Sequence, residues 1–314
     1  MNTPDDLKTP TILVLGGYGF VGRYAVRSLK AAGVNVIVGT RGGQNPGHTR
    51  ERQIVLHKAT DPADWHATLD GIDAVINCVG ILRERRCESF MAVHHHAVAA
   101  LATACTTRNL PLVHMSALGI TLTKNRYSFS KLLGEQAIIG SGCNAIIVRT
   151  SVVDAADGYG AGWFHRVAQW PVWPIPAGAT KYLSPTRAPD LGLALATLVL
   201  KLLKEPESTG YARILEMGCG EWFTLESYLL RLRQIHRTPP FVVRIPQIIC
   251  RWFAKLCDQV HLTPYSIAHH DLLEHNNMPG VNSLPGIIGC TPEPIAEAIP
   301  DAISIRRPQA KQAF

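Results

Sequence analysis

Short apolar runs alternate with amphipathic stretches through the first half of the chain. Thr11–Leu15 (TILVL) has strand length, and the glycine-rich stretch 16–22 follows it. From there Val21, Ala25, Leu29 and Ala32 recur at helical spacing, with Gly33 as a stop. Asn35–Gly39 reads as a second strand, so the chain opens strand, glycine turn, helix, strand. Gln53–His57 reads as a third strand. Asp61 and Pro62 start a short helix, aspartate as cap and proline at the first helical position. Asp73–Cys78 is a fourth strand, Glu88–Arg108 a long alanine-rich helix, and Leu110–Met115 a fifth strand. Tyr127–Ile139 is a helix and Ala145–Arg149 a sixth strand. Runs such as AVINC and AIIV are apolar at successive positions, the mark of strands covered on both faces. The pattern predicts an α/β fold with a Rossmann-like, doubly wound parallel sheet.

The rhythm breaks beyond residue 155. Trp163–Trp173 contains three tryptophans, and Trp170–Pro176 (WPVWPIP) reads as an irregular aromatic-proline loop. That stretch is expected to lid a substrate cleft with an apolar wall, which suits an apolar or quinone-type substrate. Arg187–Leu203 reads as helix, Arg213–Met217 as strand and Thr224–His236 as helix; two more helices are expected at Ile245–Leu256 and Tyr265–Glu274, and a frayed tail from Ile303. The expected organisation is a nucleotide-binding domain over 1–155 and a smaller, mostly helical C-terminal lobe over 156–314, interleaved with the sheet. Pro240–Leu256 is basic and amphipathic. It is expected either to pack Ile249, Trp252 and Phe253 against the sheet domain or to meet a protein partner or membrane surface.

Composition narrows the classes. Of 314 residues, 46% are hydrophobic and 18% charged, which excludes a disordered chain. The net charge of +7 suits an anionic cofactor, an acidic partner or a membrane surface, but it is too dispersed to imply nucleic acid. The eight cysteines form no C-x-x-C pair and read as reduced thiols. The first ten residues are polar, and the longest apolar run, 191–203, falls short of the ~20 residues a bilayer requires. A cytoplasmic protein is expected, with peripheral membrane association open. The run His94-His95-His96 is no metal site, since adjacent helical positions point ~100° apart; no metal is expected.

The chemistry concentrates in the glycine turn. Gly16, Gly19 and Gly22 give G-x-x-G-x-x-G between a strand and a helix. Gly16 permits the tight turn, Gly19 the approach of backbone to a pyrophosphate, and Gly22 close helix-to-strand packing. The phosphates would rest on the helix N-terminus, where free N–H groups and the dipole favour anions. A site for NAD usually carries an acid on the ribose hydroxyl after the second strand; here the strand ends Val38-Gly39-Thr40-Arg41. Arg41 could pair with a 2′-phosphate, so NADP(H) is expected in preference to NAD(H).

The turn, with Tyr127-Ser-Phe-Ser-Lys131, resembles the short-chain dehydrogenase/reductase superfamily in its extended or atypical branch. Within it the chain is similar to the NAD(P)H-binding accessory subunits of respiratory complex I and their bacterial relatives. The likeness is carried by GGYGFVGRYAV (16–26), INCVGIL (76–82), HMSALG (114–119), RYSFSKLLGEQAI (126–138), RTSVV (149–153) and LTPYSIAHHDLLEHNN (262–277). The resemblance implies a Tyr127 acid/base, with Lys131 four residues on and on the same helical face, lowering the tyrosine pKa. It implies a carbonyl contact from Ser116. It also implies a cofactor lining from Gly17, Tyr18, Phe20, Val21, Cys78, Val79, Gly80, Arg149, Thr150 and Ser151 besides the three turn glycines. Three departures stand out. The hydroxyl usual one or two residues after Ser116 is replaced by Ala117 and Leu118; Ser116 lies only 11 positions before Tyr127 (127 − 116); and Lys58 stands where the group usually has an adenine-contacting aspartate. The expected activity is hydride transfer between NADPH and a small apolar carbonyl or quinone-type substrate. The alternatives are a non-catalytic NADPH-binding accessory or assembly protein of a respiratory complex and, further off, a sugar-nucleotide epimerase or dehydratase.

Overall fold

The structure is a computed structural model that describes residues 9–40, 50–85, 88–205, 211–233, 239–260 and 263–295. The first half runs β1 (Thr11–Leu15), α1 (Gly22–Ala31), β2 (Asn35–Thr40), β3 (Arg50–Gln53), a 3-10 turn into α2 (His66–Leu69), and β4 (Ala74–Asn77). A π-helical stretch, Met91–His96, leads into α3 (Ala97–Thr107), followed by β5 (Leu112–Ala117), α4 (Arg126–Gly140) and β6 (Ala145–Thr150). The second half adds β7 (Val153–Asp154), α5 (Ala161–Ala168), β8 (Val172–Pro176), β9 (Thr186–Arg187), α6 (Ala188–Lys204), β10 (Arg213–Met217) and α7 (Leu225–Leu232). It closes with β11 (Phe241–Ile245), α8 (Gln247–Val260), α9 (Ile267–Leu273) and α10 (Leu284–Ile288).

Seven parallel strands form one sheet in the order β10-β6-β5-β4-β1-β2-β3. The order reverses between β1 and β4, and a crevice opens beyond the carboxyl ends of strands at such a reversal. Period-two alternation sorts β1 between two layers. Leu13 and Leu15 enter the layer under α3, with Leu101 and Cys105. Ile12 and Val14 enter the layer under α1 and α6, with Ala25, Leu29, Leu191 and Leu195. Thus α6 and β10, both from beyond residue 155, are built into the sheet domain. A third apolar cluster, centred on Trp173, Phe223 and Tyr228, is the core of the smaller lobe.

The structure differs from the pattern reading in several places. The third strand is Arg50–Gln53 rather than Gln53–His57, because its ladder starts opposite Ile37. As an edge strand it tolerates the charged run RERQ. The long helix starts late and its first turns are π-wound. WPVWPIP is not irregular: Val172–Pro176 pairs with Phe241–Ile245 in a two-stranded parallel ribbon, where prolines are acceptable on an edge. The Trp163–Trp173 stretch is no lid, since Trp173 is fully buried in the lobe core and Trp163 and Phe164 pack against it. Pro240–Leu256 is a strand, a proline and then a helix, and of the two expectations for it the packing of Ile249, Trp252 and Phe253 against the sheet domain fails. Cys250, Ala254 and Cys257 face inward, while Ile249 is 54% and Trp252 72% exposed, with Ile248, Phe253, Leu256 and Val260 beside them. Among the described residues no helix is long and apolar enough to cross a membrane.

Candidate active site

Two loops meet at the reversal of strand order. After β1, Gly16 takes a left-handed backbone (φ 72°), and Gly19 N–H donates to its carbonyl at 2.8 Å. A Cβ on Gly22 would stand 2.1 Å from that same carbonyl oxygen, so only glycine lets α1 start so close to β1. A Cβ on Gly16 would lie 3.1 Å from Val79 of the loop after β4. Phe20 packs over Gly158, and Arg23 bridges to Asp157 at 2.7 Å, so the segment after β7 is fastened to the glycine turn. The Tyr18 hydroxyl donates to Glu51 on β3, and burial together with that carboxylate pushes its phenol up to about 12. Val21 lies against the layer under α1.

The loop after β4 is held at both ends. Asn77 Oδ1 accepts from Val79 N–H at 3.0 Å, while its amide nitrogen meets His114 Nδ1 at 3.1 Å. Ile81 N–H donates to His94 Nε2 at 3.0 Å. That bond leaves the proton of His94 on Nδ1, which meets Ser130 Oγ at 3.0 Å; Ser130 Oγ in turn donates to the Tyr127 carbonyl at 2.8 Å. Burial first, then the Lys131 ammonium, drives His114 down to about 3, and the same two causes hold His94 well below the ordinary histidine range. Both rings are therefore neutral at pH 7. A polar relay, Ile81 to His94 to Ser130 to Tyr127, ties the β4 loop to the first turn of α4.

Helix α4 is capped by Asn125, whose side chain accepts from Ser128 N–H at 2.9 Å. Thr123 spends its hydroxyl on Ser128, at 2.5 Å. Buried Lys131 donates from Nζ to the Met115 carbonyl at 3.0 Å, and Nζ would lie 3.5 Å from a Cβ on Gly80. Gly80 is thus the open face of the β4 loop, backed by Lys131 and His94. Burial brings Lys131 down to about 8, opposed by Glu135, so it is charged at pH 7. The Tyr127 phenol is pushed by burial up to about 12, in the direction opposite to the one expected, because the ammonium is bonded to Met115 instead of to the phenol. Burial likewise raises the Cys78 thiol to about 12.

The remaining expected residues divide. Ser116 at the end of β5 and Ser151 after β6 are buried, and neither hydroxyl has a partner among the described residues. Thr150 bonds Thr186 at 2.8 Å. Arg149 turns from the crevice and grips Glu135 with two bonds, at 2.9 and 2.5 Å. Lys58 is exposed, and Arg41 lies outside the described residues. In the histidine run, His94 is buried against the β4 loop, His95 is half-buried and His96 exposed; no cluster of three or more potential metal ligands occurs among the described residues.

A cavity of about 610 Å³ opens on Tyr127. Its walls are Leu82, Arg83, Glu84 and Phe90 on one side, 124–127 at the start of α4, and Arg251, Asp258, Asp271 and the start of α9 on the other. It draws nothing from Trp163–Trp173, and where an aromatic wall was expected its lining mixes charged side chains with Leu82, Phe90, Tyr127, Ile267 and Ala268. The crevice fits a dinucleotide on three observations. Gly16 turns the chain in a left-handed conformation against the loop after β4, exposed Gly80 offers bare backbone beside Lys131, and two buried hydroxyls at the strand ends lack partners among the described residues. Periodicity missed the π-wound start of the long helix and the role of His94 in it; the three-histidine run was the available signal. It also missed the pairing of Glu135 with Arg149, although Glu135 lies on the helical face of Tyr127 and Lys131.

Residues 12–157 match the NAD dependent epimerase/dehydratase family. The chain is 25% identical over 283 residues to the mitochondrial NADH dehydrogenase [ubiquinone] 1 alpha subcomplex subunit 9 of Arabidopsis thaliana, covering 86% of this chain and 68% of that one. Its fold is that of the Citrobacter sp. triphenylmethane reductase complexed with NADP(H) (TM-score 0.69, 13% identity, 91% of this chain and 97% of the other). It is also that of MoeE5 in complex with UDP-glucuronic acid and NAD (TM-score 0.62, 15% identity, 90% and 94%).

Proposed function

We propose that this chain, whose nucleotide-binding half matches the NAD dependent epimerase/dehydratase family, binds NADP(H) across the sheet's reversal point and reduces a carbonyl compound held against Tyr127. The observation that carries the reading is a protonated Tyr127 on the cavity wall, one helical turn from Lys131, whose Nζ would lie 3.5 Å from a Cβ on Gly80 of the β4 loop. The glycine turn would hold the pyrophosphate, Arg41 the 2′-phosphate, and Lys131 the nicotinamide ribose. The bound cofactor supplies a hydride to the carbonyl carbon. Tyr127 gives its proton to the carbonyl oxygen, yielding an alcohol, and the phenolate regains a proton from water. Tyr127, its pKa pushed by burial up to about 12, is protonated at pH 7 and so stands in the form that can give a proton. Lys131, charged at pH 7 and one turn away, stabilises the transient phenolate. Ser116, whose buried hydroxyl at the end of β5 has no partner among the described residues, would polarise the carbonyl. Tyr127→Phe tests this directly: turnover of NADPH with a carbonyl panel should fall about 100-fold or more, since general-acid catalysis contributes roughly that much, while NADPH affinity stays within twofold. Full turnover in Tyr127→Phe removes the reading.

A second reading, an accessory role beside a respiratory assembly, is favoured by α8. Its largest apolar side chains face solvent, with Arg251 and Lys255 along the edge of that face. An exposed tryptophan in an apolar stripe flanked by cations suits an anionic lipid surface. Co-sedimentation with phosphatidylglycerol vesicles, absent with phosphatidylcholine and lost in Trp252→Glu, supports it. No vesicle binding by the wild type sinks it.

A further inference from the structure

The cavity on Tyr127 contains four cations and three carboxylates, and their hydrogen bonds do not balance. Every carboxylate oxygen there already has a donor. Asp258 accepts from Arg83 Nε at 3.2 Å and from Ile267 N–H at 3.0 Å. Asp271 accepts from Arg251 at 3.0 Å and from the Asn125 amide at 3.1 Å. Glu84 accepts from Phe90 N–H at 2.9 Å and from Arg126 at 2.8 Å. Among the lining residues described, the buried side-chain polar atom left without any partner is a donor. Arg83, with a side chain only 9% exposed, spends Nε on Asp258 and Nη2 on the Tyr265 carbonyl. Its Nη1 is shut away from water and has no partner among the described residues. Lys124, exposed on the same wall, has no carboxylate partner among them either. The start of α4 adds its dipole to that wall. A buried guanidinium nitrogen without an acceptor is costly unless something supplies one.

We propose that this cavity takes a carbonyl compound carrying a carboxylate, an oxo acid, with the carboxylate held between Arg83 and Lys124. The assignment of a carbonyl rests on the oxidoreductase reading above; the assignment of the negative charge rests on the donor surplus alone. Arg83 lines the cavity, and a carboxylate reaching its guanidinium would give Nη1 the acceptor that it lacks. Lys124 closes the pair from the solvent side. A neutral substrate of the same shape would leave both donors unfilled, so charge rather than hydrophobicity would decide selection at this site.

The test is calorimetric titration of the full chain, without dinucleotide, with benzoate and with benzamide, which share a ring and differ in charge. Benzoate should bind about tenfold tighter or more, as one hydrogen bond to a charged group is worth that much. Arg83→Gln should abolish the difference, and Lys124→Glu should cut benzoate affinity roughly tenfold while leaving benzamide alone. Arg83 also anchors Asp258, so its variant is read only if its melting curve matches the wild type; Lys124, on the surface, carries the test otherwise. Equal binding of the two probes, or a benzoate preference that survives Lys124→Glu, overturns the proposal. Phenyl phosphate binding tenfold tighter than benzoate overturns the carboxylate assignment. NADPH binding measured on the same samples keeps the two readings apart: its absence in the wild type sinks the oxidoreductase, whereas loss of benzoate preference with NADPH binding intact sinks only the oxo acid.

Discussion

Replacing Gly134 by alanine tests how Tyr127 and Lys131 are placed. Gly134 lies on α4 where that helix crosses the π-wound stretch Met91–His96. A Cβ there would stand 2.0 Å from the His94 carbonyl oxygen. Carbon and oxygen need about 3.3 Å, so the two helices must part by roughly 1 Å. The obstacle is backbone and cannot rotate away. Parting them stretches the bonds from His94 to Ile81 and to Ser130, each worth about 1 kcal/mol, and adds an overpacking cost of about 1–3 kcal/mol. Against this, alanine gains about 1 kcal/mol over glycine in a helix interior. The net expectation is a loss of about 2–4 kcal/mol, or roughly 3–6 °C in melting temperature for a chain of this size. Gly140, in the last turn of the same helix, is the control. Nothing lies within 4 Å of a Cβ there, so Gly140→Ala should be neutral or slightly stabilising. Thermal and urea melts of both variants decide the matter. If Gly134→Ala melts with the wild type, α4 does not cross the histidine stretch as described, and the relay to Tyr127 goes with it.

Other consequences follow from the same contacts. Removing Glu135 alone (Glu135→Ala) leaves the mostly buried Arg149 only the Glu216 carboxylate at 4.0 Å and should cost about 3 kcal/mol, whereas Glu135→Leu with Arg149→Met should recover most of it; equal melts for the single and double variants would contradict a buried pair. Burial lowers Lys131 from its ordinary 10.5 to about 8, so between those values the unfolded chain binds the extra proton. Stability contributed at this position should therefore rise with pH from about 8 toward 10.5, and Lys131→Met should flatten that rise in pH-dependent urea melts. NADPH affinity moves the opposite way: it should weaken as pH climbs through 8 in the wild type and stay flat in Lys131→Met. A wild-type affinity that is level from pH 7 to 10 would show that the ammonium does not serve the cofactor.

The parallel sheet was legible because β1, β4, β5 and β6 are buried on both faces and read as unbroken apolar runs. The glycine turn was legible because its three glycines sit where a strand gives way to a helix. Tyr127 and Lys131 were legible as a pair by spacing, but not their environment. Whether a lysine meets a phenol or a backbone carbonyl depends on how β5 and α4 approach, and no local pattern encodes that distance. Strand β3 was misplaced because an edge strand needs no apolar alternation. Helix α8 misled for a related reason: amphipathic periodicity shows that one face differs from the other, not which one the protein covers. Here two cysteines and an alanine are buried while Trp252 is left outside. The donor surplus at the cavity could not be read at all, since Arg83 and Asp258 are 175 positions apart and only the fold brings them together.

Parallel titration with NADPH and NADH decides whether the crevice holds a dinucleotide and whether it prefers NADPH. Fluorescence titration of the wild type should show NADPH binding about tenfold tighter or more, a preference that Arg41→Ala removes by taking away the charge-assisted contact to the 2′-phosphate. Equal affinity for the two would contradict the role of Arg41, and no binding of either would contradict the site itself.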